Sequence, residues 1–211
     1  MSDSDEGGCG CHGDTERAAA DPAYRRALWV VVILNVGFGL VELVGGFLAD
    51  SQALKADSLD FLGDGSITFV GLLALAWAER TRAKVALTQG IFLALLGVWV
   101  LGMAAWRAAN AVPPEAELMG GIGIAALAVN VAAALVLARF REGGDAQARA
   151  IWLFSRNDAI NNVAVIVAAG LVFWLESAWP DLVVAAAIAA VFLHSAWEIV
   201  RDARKELAEP R

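Results

Sequence analysis

The chain has 211 residues, 59% of them hydrophobic and 18% charged, with a formal net charge of −7. So apolar a composition excludes an ordinary soluble domain of this size, and no stretch is basic and aromatic enough to hold nucleic acid. A membrane span needs about 20 mostly apolar residues, and six segments qualify, at about 28–48, 54–79, 86–106, 118–138, 151–175 and 181–200. The expected fold is an all-α polytopic membrane protein with six transmembrane helices over residues 28–200. Residues 1–27 and 201–211 flank it as short polar segments, and the connections between spans leave no room for a second domain.

Basic residues mark the orientation. Arg17, Arg25 and Arg26 precede span one, Arg80, Arg82 and Lys84 lie between spans two and three, and Arg139, Arg141 and Arg149 between four and five. Arg201, Arg204, Lys205 and Arg211 follow span six, whereas the alternate connections hold only Lys55 and Arg107. The positive-inside rule then predicts that both termini are cytoplasmic.

Residues 1–27 are acidic and glycine-containing, too polar for a signal peptide, and read as a disordered cytoplasmic tail. Within it, Cys9, Cys11 and His12 offer three soft ligands for transient capture of a thiophilic cation. The alternative is a tail with no role.

Span one carries Asn35 and Glu42, seven residues apart and so on one helix face. Glu42 is open to two readings, a protonated packing residue or a group that handles protons. Gly37, Gly39, Gly45 and Gly46 permit close approach of a neighbouring helix.

Span two is the centre of the sequence. Asp57, Asp60 and Asp64 stand at i, i+3 and i+7 and project from one face. Charges at membrane depth cost a few kcal/mol each and persist where they pair, face a bundle interior or bind an ion. Asp60 and Asp64, like charges one turn apart, demand a counter-ion. Asp57 reads either as an entrance for a cation or as a helix-capping carboxylate.

Spans three and four are plainer, with Gln89, Arg107 and Asn110 near helix ends and Asn130 expected to make an interhelical hydrogen bond. Span five is dense in polar groups: Asp158 and Asn162 share a face that Ser155 joins, and Arg156 points away. At about 1.5 Å per residue, Asp64 lies about 10 Å from the external end of its span and Asp158 about 12 Å from the internal end of its own, so the two clusters can meet near the midplane. In span six, His194 reads as an interfacial residue. Spans one to three and four to six form two triplets of opposite orientation, and the middle helix of each holds the carboxylates, a layout used for midplane sites.

These residues resemble those of the cation diffusion facilitator family. The resemblance runs from Asn35 and Glu42 through the A-L-K-A-D-S-L-D-F-L-G-D run ending at Asp64, and resumes at Asp158 and Pro180-Asp181. It implies a six-span exporter of divalent cations, zinc first, with cadmium, cobalt, iron and manganese as further candidates. It also implies proton antiport with alternating access, a homodimer formed through the membrane domain, a multi-pass place in the inner (cytoplasmic) membrane, and no cofactor. The family's ligands are paired four apart on spans two and five, which implies Asp60 with Asp64 and Phe154 with Asp158. Phe154 cannot bind a cation, so Asn162, or Asn161, Asn157 or Ser155, is expected to replace it. With about ten residues after span six, the family's usual soluble domain is not expected here. The competing classes are a membrane-embedded metal-dependent enzyme, for which no catalytic motif is evident, and a metal sensor built on the Cys9–His12 cluster.

Overall fold

The computed structural model describes residues 22–73, 77–110, 112–141 and 146–208, with the backbone alone for Glu79, 139–141 and 146–157. Cys9, Cys11 and His12 lie outside the described residues. Six helices account for nearly all of the rest: α1 Pro22–Leu48, α2 Gln52–Leu73, α3 Glu79–Ala109, α4 Ala116–Arg141, α5 Ala146–Leu175 and α6 Trp179–Ala208. Five are long and apolar enough to cross a membrane. The exception is α2, which at 22 residues is long enough but carries Lys55, Asp57, Asp60 and Asp64. Helices are the expected solution, because hydrocarbon offers no partner for an unpaired peptide group. The chain is an all-α polytopic membrane protein.

Helices one to three touch their counterparts four to six: α1 lies against α4, α2 against α5 and α3 against α6. The most extensive packing is within α1–α2, α4–α5 and α3–α6. Helix α2 touches all five others, and every residue from Ser51 to Leu59 is buried. It is the axis of the bundle. Its Ala53, Leu54, Ala56 and Leu59 join Leu93, Met119, Val165, Ile188 and Phe192 in one core that draws on the helices around it.

The outer faces are apolar, with Leu48, Leu135 and Phe173 exposed. Among the described residues, exposed Trp99 lies within α3, whereas exposed Trp106, Trp174 and Trp179 lie toward one end of the bundle and Trp29, Trp77 and Trp197 toward the other. This is the arrangement that places amphipathic rings at both lipid headgroup levels.

The turn between α1 and α2 is specified locally. The Ser51 amide donates to the Gly46 carbonyl at 3.0 Å and the Asp50 amide to that of Phe47 at 3.3 Å, the paired bonds of a Schellman ending. The residue at its pivot is Asp50, with φ of 55°. Aspartate tolerates the left-handed region better than most side chains, and here its carboxylate is also held by Arg107 of α3. The same arginine donates to the carbonyls of Asp50 at 3.2 Å and Val112 at 3.0 Å. The Glu115 amide donates to the Ala49 carbonyl at 2.8 Å, so the segment leading into α4 is tied to this turn as well.

Candidate cation site

The site is built outward from the first turn of α2. Ser51 is its N-cap, accepting the Leu54 amide at 3.1 Å. The two preceding amides are satisfied from another helix: Gln52 N–H donates to Asp181 Oδ2 at 2.8 Å and Ala53 N–H to Asp181 Oδ1 at 3.0 Å. The Ser51 hydroxyl donates to the same Oδ1 at 2.6 Å. Asp181, at the start of α6, is 2% exposed. A carboxylate on a helix N-terminus is favoured by both its amides and its dipole, so α6 fixes the level of α2. Sequence reasoning noted Asp181 only as the opening of span six. No periodicity could reveal that it caps a helix 129 residues earlier.

The basic residue of α2 does not neutralise the acidic face below it. Lys55, 3% exposed, turns its ammonium back to Asp50 Oδ1 at 3.6 Å and over the Phe47 ring at 4.8 Å.

Farther along α2, Asp60 and Asp64 are half-buried, and so is Asp158 on α5. Asp158 lies within hydrogen-bonding reach of both Asp60 and Asp64. Asn161 reaches Asp60. Asn162 is wholly buried, and its amide nitrogen is spent on the Asp158 carbonyl of its own helix at 2.8 Å, while Oδ1 has no donor. Between these two amides, the one that meets the α2 carboxylates is Asn161. The side chains of Phe154, Ser155 and Asn157 lie outside the described residues.

No three His, Cys, Asp or Glu groups among the described residues converge tightly enough to form a ready-made metal cage. Asp158 instead neighbours, pairwise, two carboxyls one turn apart. Ionised carboxylates are acceptors only. Three of them inside an apolar bundle require protons or a cation between them, and their hard oxygens suit divalent metals over anions or apolar solutes.

Asp57 does not open to the surface. It is 1% exposed, covered by α1, and lies within hydrogen-bonding reach of Glu42, itself fully buried. The turn at Asp50 sets this contact, since Glu42 and Asp57 stand nearly equal distances either side of it. Asn35 is buried lower on the same face, beside Gly65, with Oδ1 unpartnered. Asn130, expected to bond between helices, is buried with its amide nitrogen unpartnered. His194 is exposed, stacked on Trp197 at 5.9 Å and 3.8 Å from Glu198 on its own helix.

Residues 28–208 match the cation efflux transmembrane domain. Over 210 residues the chain is 27% identical to the zinc transporter ZitB of Escherichia coli K12, covering 94% of this chain and 67% of that protein. It is 27% identical over 205 residues to the cadmium, cobalt and zinc/H(+)-K(+) antiporter of Bacillus subtilis 168, covering 89% of this chain and 64% of that one. With the proton-coupled zinc antiporter SLC30A2 of Mus musculus it shares 26% over 220 residues, 92% of this chain and 58% of that one. The chain thus spans 58 to 67% of the length of these relatives. With the family's transmembrane domain matched over six helices that carry an acidic site between α2 and α5, the chain belongs to the cation efflux family.

Proposed function

We infer that this chain is a secondary transporter, not an enzyme, that exports divalent cations from the cytoplasm in exchange for protons, with zinc as the first substrate. The observation that carries this reading is the meeting of Asp158 with Asp60 and Asp64 inside an apolar bundle. Lone buried carboxylates are expensive, and a scaffold has no use for three. Relatives bearing the names zinc transporter and proton-coupled zinc antiporter support the same cargo and counter-ion.

Asp60, Asp64 and Asp158 are the ligands in this reading. Asn161 or Asn162 supplies an amide oxygen where Phe154 stands in place of the family's fourth ligand. Facing inward, the carboxylates take a dehydrated cation; facing outward, protons compete for the same oxygens and release it. Alternating exposure by rocking of one helix group against another fits a site between paired helices. Both termini in the cytoplasm, an inner-membrane location, assembly as a homodimer through the membrane helices, and metal capture by Cys9, Cys11 and His12 belong to the same proposal.

The test is zinc uptake into inverted membrane vesicles bearing the wild type, Asp64→Ala or Asp158→Ala. Uptake should fall to background in both variants at equal membrane abundance. Full uptake in either one would remove that residue from the site.

A further inference from the structure

Glu42 and Asp57 are not among the proposed ligands, yet they form the most completely enclosed acidic pair in the described residues. Packing around the α1–α2 turn sets their meeting. A Cβ placed on Gly46 would stand 3.0 Å from the Lys55 nitrogen, one on Gly39 would stand 3.0 Å from the Phe61 Cβ, and one on Gly65 would stand 3.1 Å from the Asn35 Cβ. These three contacts fix an antiparallel register that puts Glu42 level with residues 58 and 59 of α2, next to Asp57.

Glu42 is 0% exposed and Asp57 1% exposed, and none of their four carboxyl oxygens has a hydrogen-bond donor. The charged groups that act on them are acidic too: Asp60 on both, and Asp158 on Asp57. Lys55, two residues from Asp57, is committed to Asp50 and Phe47. Two dehydrated carboxyls facing each other without another donor require a proton or a cation between them. They also lie one turn of α2, about 5 Å, from Asp60. A buried ion moves more readily between several modest sites than out of one strong site.

We propose that Glu42 and Asp57 form a second divalent-cation station, on the Asp50 side of the Asp60, Asp64 and Asp158 set, through which the transported ion passes between that set and the external face. The proposal rests on the transport reading above. Its ligands are hard oxygens alone, so it takes the same class of ion as the first set.

The experiment is equilibrium binding of zinc and of cadmium to the purified full chain in detergent, with bound metal counted per chain after gel filtration. The variants are Glu42→Gln/Asp57→Asn, the single Asp57→Asn as a milder change, and Asp64→Ala/Asp158→Ala. The expected result is one ion fewer per chain in the first two variants, with the remaining ion kept, and loss of that other ion in Asp64→Ala/Asp158→Ala. Wild-type stoichiometry in Asp57→Asn and in the double variant would overturn the second station, leaving the pair as a holder of protons. A wild type with one ion per chain, lost only in Asp64→Ala/Asp158→Ala, would overturn it too while leaving the transport reading intact. A wild type that binds neither metal would overturn both.

Discussion

Replacing Asp181 by alanine tests whether α6 sets the position of α2. The carboxylate accepts three hydrogen bonds, at 2.6, 2.8 and 3.0 Å, from the Ser51 hydroxyl and the Gln52 and Ala53 amides. Hydrogen bonds to a charged group contribute about 1.5–3 kcal/mol each, and a buried donor left unsatisfied costs about 1–3 kcal/mol. Removing the acid also removes the cost of burying it, which is several kcal/mol, so the simple sum of three bonds overstates the effect. The net loss should be on the order of 2–4 kcal/mol. Asp181→Asn keeps one acceptor oxygen at nearly the same place, and should lose roughly half as much. Denaturant unfolding in detergent measures the loss, and hydrogen exchange locates it, with faster exchange expected at Gln52, Ala53 and Leu54. Uptake should fall as well, because the acidic face of α2 is then held less exactly opposite Asp158. Stability within about 0.5 kcal/mol of wild type, with unchanged exchange in this turn, would refute the assignment.

Other consequences follow from the packing of the same region. Ser51→Ala removes both the cap on Leu54 and a donor to Asp181, and should cost about 1–2 kcal/mol in the same unfolding assay. Gly46→Ala would drive a Cβ to 3.0 Å from the Lys55 nitrogen, whereas Gly37 has nothing within 4 Å. The first should lose about 1–3 kcal/mol and the second should lose no stability, compared side by side by thermal unfolding. Asp50→Ala loses the contact with Arg107 and forces a β-carbon residue with poorer tolerance into φ of 55°, so Asp50→Gly should be the less destabilising of the two. Cysteine accessibility at position 57 gives a further check. Asp57→Cys should resist a membrane-impermeant thiol reagent where Val112→Cys reacts, because Asp57 is 1% exposed and Val112 60%.

Much of the fold was legible because hydropathy is a dominant signal in a membrane chain. Six apolar stretches separated by short polar connections leave few architectures, and each stretch lies largely within one observed helix. Some helices overrun the stretches, as in α3, where Glu79–Ala109 extends beyond 86–106, whereas α2, expected over 54–79, ends at Leu73 and Glu79 already belongs to α3. The pairing of span two with span five was readable from residue depth, which requires only rise per residue and chain direction. Asn161 and Asn162 could not be separated in this way. They stand on neighbouring faces of α5, and their roles depend on helix rotation, a tertiary property. Asp181 was hidden for a related reason: its partners are backbone amides, which leave no mark on composition. Glu42 was visible as a buried acid, but its partner followed only once the α1–α2 turn fixed the antiparallel register. The three positions that sequence reasoning resolved least are all set by how one helix seats on another.

The most direct test of the transport account is uptake into proteoliposomes. The purified chain is reconstituted, a pH gradient is imposed with the acidic side opposite the added metal, and zinc, cadmium, manganese and iron(II) are offered in turn. Asp60→Ala/Asp64→Ala is the control. The account predicts zinc uptake that depends on the gradient and disappears in the control. Absence of gradient-dependent uptake of any of the four ions by a well-folded wild type, or uptake equal in the control, would contradict it.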